Sequence, residues 1–242
     1  MEIALSGFAG INLLKFIGLL LLPLALGLLL TQRLKGVFYV GERLAISLIV
    51  GLAIFIAITF VAALLITFHW LTLAAVLLLM LGAGALSIKY TYAKLSIVAP
   101  ESWADMANAS RTDRYGLVVF ASSLLIFAFL MNRVVLWQNG ALATGYLDAW
   151  GDLPLHISLI MSFTGDANLN LGSTILAGRT LTYPFMSDFF SAMLMLFGLS
   201  LEQAIEWPGI LLNSLTLTLL YYLAYRLVRH RGAAMLAPAL FI

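Results

Sequence analysis

The chain of 242 residues contains no cysteine, only six prolines, and just 10% charged residues against 63% hydrophobic ones. The missing cysteines exclude disulfides, thiolate metal sites and a cysteine nucleophile, and they leave the compartment open. The shortage of charge excludes more. With a mean hydropathy of +1.05 there is too little polar surface to cover a water-soluble globule, so free-standing soluble domains and disordered tails fall away together. A net charge of +2 is too small to draw the chain to nucleic acid. Long hydrophobic runs are plentiful, and the composition is that of a membrane protein.

A helix that crosses the hydrocarbon core needs roughly twenty apolar residues. Five runs meet this requirement, from about Ile11 to Thr31, Leu44 to Phe68, Leu71 to Ile88, Tyr115 to Asn132 and Trp207 to Tyr225. A further apolar run from Gly232 to Ile242 is half that length. It predicts a partial sixth span and a protein that continues past Ile242. Lys15 is the one charge inside a span, and its four-carbon stem can carry the ammonium back to the interface. The expected fold is all-α: a polytopic helical membrane protein with about five spans plus the partial sixth.

Basic residues mark alternate loops: Arg33, Lys35 and Arg43, then Lys89, Lys94, Arg111 and Arg114, then Arg226, Arg229 and Arg231. Positive charge gathers on the cytoplasmic side, which predicts an extracytoplasmic N-terminus and an extracytoplasmic segment from about residue 133 to 206. The Asn108-Ala-Ser110 sequon then falls in the cytoplasm, where it is not used. Gly82-x-Gly84 lies within an apolar helix and serves packing, with no dinucleotide loop implied.

The segment 133–206 is far longer than an ordinary connection, so it should contain structure and carry function. Six of the eleven acidic residues fall there: Asp148, Asp152, Asp166, Asp188, Glu202 and Glu206. Leu153 to Phe163 and Phe185 to Phe197 are apolar runs too short to cross, and they predict two helices lying in the interface. Gly151 and Pro154 predict that the first begins with Asp152 as N-cap. Around it Asp148, Trp150, Asp152 and His156 crowd two carboxylates, an imidazole and an indole at a membrane surface, where polar groups are costly and tend to have a purpose. Asp148, Asp152 and His156 could also hold an oxygen-preferring divalent cation, although the pattern of a dedicated metal site is missing and no cofactor is required.

Pro184 marks the start of the second short helix, with Asp188 one turn in, where it either favours the helix dipole or faces a ligand. Arg179 either offsets neighbouring acids or clamps a lipid phosphate. Ser200-Leu-Glu-Gln203 reads as a capping box at the entry to the last span, and Glu202 and Glu206 read as structural. His69 and His230 read as surface residues.

From about Tyr115 to Arg231 this layout resembles the membrane glycosyltransferases of the GT-C class, of the protein mannosyltransferase and aminoarabinose transferase types. The matching positions are Asp148 and Asp152 near the start of the loop, then Tyr183-Pro184-Phe185, Gly198-Leu-Ser200, Pro208 and Arg226. The family's Asp-Glu pair is replaced here by Asp148-x-x-x-Asp152, and its His-Pro-Pro-Leu helix start by Tyr183-Pro184-Phe185. The resemblance implies a three-span region over 1–114 ahead of a GT-C-like core over 115–242, N-terminally extended and C-terminally truncated. It implies transfer of a sugar from a polyprenyl-phosphate donor to an acceptor glycan, lipid or protein outside a bacterial inner membrane. In that reading Asp152 is the base, with Asp148 and His156 beside it, while Trp150, Arg179, Tyr183 and Asp188 contact substrate. A transporter or lipid-linked-glycan flippase, or a non-catalytic membrane subunit, are the alternatives.

Overall fold

The computed structural model describes residues 2–31, 39–95, 114–138, 141–145, 149–165 and 169–241. Their helices are α1 (Glu2–Thr31), α2 (Val40–Leu65), α3 (Trp70–Leu95), α4 (Arg114–Val134), α5 (Ala149–Gly165), α6 (Met186–Leu196), α7 (Leu201–Val228) and α8 (Arg231–Phe241). Four stretches are long and apolar enough to cross a membrane: Ile11–Thr31, Val40–Leu65, Arg114–Val134 and Leu201–Val228. In α3 the apolar stretch Trp70–Leu86 is shorter. Helices dominate because a chain this apolar must satisfy its backbone hydrogen bonds within each segment. Large side chains such as Leu14, Leu65, Leu125 and Leu240 stand exposed on these helices, an arrangement suited to lipid. The protein is membrane-embedded.

The all-α expectation holds, with one small addition. After α4 a small antiparallel ladder pairs β1 (Leu136–Gln138) with β2 (Ala141–Ala143), in the register Leu136 to Ala143 and Gln138 to Ala141. Its base is closed by the Gly145 amide donating to the Arg133 carbonyl at 2.8 Å. Any Cβ at Gly145 would press on that same carbonyl, so the close approach requires glycine.

The chain divides into two compact units. The first comprises residues 1–20, 54–78 and 129–209, and holds three basic and seven acidic residues. Here the start of α1 meets the start of α7. Asn12 donates to the Gln203 side chain at 2.8 Å, and the rings of Phe16 and Trp207 lie 5.5 Å apart. The expected capping box is present: Gln203 N–H reaches Ser200 Oγ and Ser200 N–H reaches Gln203 Oε1, both at 3.3 Å. Between α6 and α7 the chain turns through Gly198, whose φ of +85° is the left-handed conformation that ends helices. The Lys15 ammonium packs over Gly198 and so lies at the carbonyl end of α6.

The second unit comprises residues 21–53, 79–128 and 210–242, with ten basic and four acidic residues. In it α1 and α2 pack backbone to backbone. A Cβ on Gly27 would run into the Ser47 carbonyl, and one on Gly51 into the Pro23 carbonyl. Pro23 and Gly27, like Ser47 and Gly51, are four residues apart, so small residues meet on facing stripes as close membrane-helix packing requires. Thr31 and Ser47 join their hydroxyls at 2.8 Å beside this contact. At the basic end Arg226 grips Glu42 with two bonds, Nε to Oε1 at 2.9 Å and Nη2 to Oε2 at 3.0 Å. Tyr39, Tyr115, Tyr221, Tyr222 and Tyr225 gather around Val119 and Ala234.

Candidate functional site

The site is built by α5 packing on α6 within the first unit. On α5 the inward stripe is Leu153, Leu159, Ile160 and Phe163, all buried, and His156 sits on that stripe three residues after Leu153. In α6 the residues from Asp188 to Leu194 are buried without a break, because this short helix is enclosed on every side. Phe163, Phe185 and Phe189 form an aromatic wall with Phe60 and Phe68, their neighbouring ring centroids 5.0–5.8 Å apart.

Two titratable side chains interrupt this surround, and they meet. His156 Nδ1 lies 2.8 Å from Asp188 Oδ1, with the Asp188 side chain 6% exposed and that of His156 32% exposed. The second carboxylate oxygen, Oδ2, is buried without a hydrogen bond among the described residues. Burial pushes the Asp188 carboxyl above its ordinary 3.8, and the hydrogen bond and charge of His156 draw it part of the way back. The Tyr183 ring stands edge-on to the imidazole, at 5.8 Å between centroids.

The other expected site residues are placed as follows. Asp152 lies in the first turn of α5, exposed, with no hydrogen bond among the described residues, one turn before His156. The helix begins at Ala149, so Asp152 is not the N-cap, and Pro154 sits in the second turn. Trp150 belongs to α5, and Asp148 lies outside the described residues. The His156 ring pairs with Asp188 and not with Asp152, beside which the resemblance sets it.

Arg179 is exposed on a narrow turn, where its carbonyl accepts from Ser173 N–H at 2.8 Å. Gly172 and Thr180 bridge the two arms of this turn, and Gly178 supplies a φ of +73°. Ser158 on α5 ties the turn down through Thr174 at 2.8 Å. The expected helix start at Pro184 holds to within two residues: α6 opens at Met186, and Phe185 at its N-cap makes no side-chain capping bond.

Chemically, a half-exposed imidazole held at Nδ1 by a buried carboxylate keeps Nε2 as the nitrogen able to take or give a proton. When Asp188 is ionised it fixes the tautomer and stabilises the imidazolium. No group of three or more metal-ligating side chains occurs among the described residues. The helical wheel carried a signal for the pair, since His156 shares a stripe with Leu153, Ile160 and Phe163 and must therefore meet whatever packs on α5. Compared with protein-family models, curated proteins and solved structures, the chain matches none.

Proposed function

We propose that the protein is a membrane glycosyltransferase, moving a sugar from a polyprenyl-phosphate donor to an acceptor hydroxyl on the extracytoplasmic side of a bacterial inner membrane. The observation that carries this reading is the His156–Asp188 pair, held in an apolar setting one helical turn from the exposed Asp152. Glycosyl transfer to a hydroxyl needs a group to take the acceptor proton while the lipid phosphate leaves. His156 Nε2, steadied by Asp188, or the Asp152 carboxylate supplies it. Arg179 is the cation for the leaving phosphate, Trp150 and Tyr183 are aromatic surfaces for a sugar face, and Asp148 binds acceptor hydroxyls. No metal is needed for these roles.

The orientation follows from charge. The unit containing α5 and α6 has an excess of acid and the other an excess of base, which supports an extracytoplasmic N-terminus and segment 133–206. In this reading α3 also crosses, as the third of five spans, α8 begins a sixth, and α5 and α6 lie in the interface. The chain has no native cysteine, so a single cysteine at Ser173 can be mapped without background. It should react with a membrane-impermeant maleimide from outside, and reaction from the cytoplasmic side alone overturns the topology.

The test of chemistry uses membranes carrying the chain and a labelled polyprenyl-phosphate sugar. Label should pass to acceptor material, and Asp152→Asn and His156→Gln should identify the base by a loss of about 10²- to 10⁴-fold in the variant that removes it. Near-normal transfer by both variants removes the site. Movement of the lipid-linked sugar across the bilayer without transfer would assign the protein as a flippase instead.

A further inference from the structure

The second unit contains a feature that glycosyl transfer does not use. A cavity of about 510 Å³ opens among α1, α2, α4 and α7. Its walls are apolar, with Leu24, Leu44, Leu48, Phe120 and Leu215 as the larger contributors, and its one charged lining group is Arg114. The Thr218 hydroxyl on the same wall is spent on the Ser214 carbonyl at 2.7 Å.

At the charged end Arg114 does not stand alone. Its guanidinium lies 5.6 Å from the centre of the Tyr115 ring, and that of Arg231 lies 5.6 Å from the same ring. Among the described residues neither has a carboxylate partner. Glu42, the buried acid among the described residues of this unit, is held by Arg226. Two like charges brought to one aromatic ring repel each other, and an anion between them turns that repulsion into attraction.

We propose that this is a binding site for an anionic phospholipid, with its phosphate between Arg114 and Arg231 and one acyl chain in the cavity. Each half of the site selects against other ligands. A soluble anion has no use for the apolar cavity, and an uncharged hydrocarbon has no use for the arginines. Basic residues at the cytoplasmic ends of spans face the leaflet richest in anionic lipid, which matches the charge of this unit. The site is independent of the His156–Asp188 pair and would stand if the glycosyltransferase reading failed.

The full chain, purified in detergent and stripped of lipid, is offered phosphatidylglycerol, phosphatidylcholine or undecaprenyl phosphate. Native mass spectrometry counts retained lipid, and thermal unfolding reports stabilisation. Phosphatidylglycerol should be retained over phosphatidylcholine, and the double variant Arg114→Gln, Arg231→Gln should bind it about 10- to 30-fold more weakly, from the loss of two surface cations. Leu117→Trp, which narrows the cavity from an exposed position on α4, should weaken phosphatidylglycerol while leaving the unfolding temperature of the lipid-free chain unchanged. Equal retention of the two phospholipids overturns the proposal, as does undiminished selectivity in the double variant. Displacement of phosphatidylglycerol by equimolar undecaprenyl phosphate reassigns the site to the prenyl carrier and likewise overturns it.

Discussion

Replacing Asp188 by Asn separates what the carboxylate does for stability from what it does for chemistry. The substitution is nearly isosteric and can keep a hydrogen bond to His156 Nδ1, but it removes the charge. In the folded protein burial disfavours that charge, so the carboxyl titrates above its ordinary 3.8. The neutral form is the better tolerated one. Its contribution to stability is therefore full below about pH 3.8 and is lost as pH rises through the folded-state value. Activity moves the opposite way, because only ionised Asp188 stabilises the imidazolium formed when His156 takes a proton. Wild type should thus lose stability and gain activity over the same pH interval. Asp188→Asn should abolish the stability slope from this group, leave stability at neutral pH within about 1–2 kcal/mol because a charge-assisted bond and a desolvation cost are lost together, and lower transfer by about 10²- to 10⁴-fold. Thermal unfolding in detergent from pH 4 to 8 and transfer of labelled sugar over the same range would measure both. An unchanged stability slope in the variant would refute the burial argument, and undiminished transfer would refute the assignment of His156 and Asp188 to catalysis.

Substitutions at three further places probe the scaffold. Gly27→Ala should cost about 1–3 kcal/mol through overpacking, because the new Cβ meets the backbone of Ser47, whereas Gly18→Ala, with nothing within 4 Å, should leave unfolding unchanged or slightly raise it. Arg226→Gln should cost about 1–3 kcal/mol, since it leaves the 6% exposed Glu42 side chain without its two-bond partner while Arg226 itself is 44% exposed, and adding Glu42→Gln should recover part of the loss. Ser200→Ala should cost about 0.5–1 kcal/mol by opening the capping box at the start of α7, and Ser200→Asp should restore it, as read from unfolding temperatures.

Much of the helical framework was legible because a bilayer imposes a length rule that requires no tertiary knowledge. Twenty apolar residues announce α1, α2, α4 and α7 wherever they pack. The two short helices were legible for a related reason: Pro154 and Pro184 punctuate runs too brief to cross. The beginning of α5 was misplaced because Gly151 and Pro154 disfavour helix locally, and the packing of Leu153 and Ile160 outweighs that preference. The small β-ladder was missed because three-residue strands have no readable period, although Asn139-Gly140 between them is a strong hairpin dipeptide. The His156–Asp188 bond is the largest gain from the structure. The resemblance sets His156 beside Asp152, four residues away, whereas the bond made spans 32 residues and depends on how α5 docks on α6.

The position of Asp188 also explains why α6 tolerates an acid amid seven consecutive buried residues. A helix enclosed on all sides cannot present a charge to water, so the charge must be balanced along its axis. Asp188 lies in the first turn of α6, where the unpaired amides carry partial positive charge, and the Lys15 ammonium lies by the turn that ends it, where the carbonyls are partially negative. The two side chains complement the dipole from opposite ends. The Lys15 ammonium of α1 lies near one end, and at the other Asp188 is bonded to His156 of α5. A side chain held this way has little freedom to follow a ligand. In the proposed transfer such preorganisation would suit a group that must meet a developing charge at a fixed point.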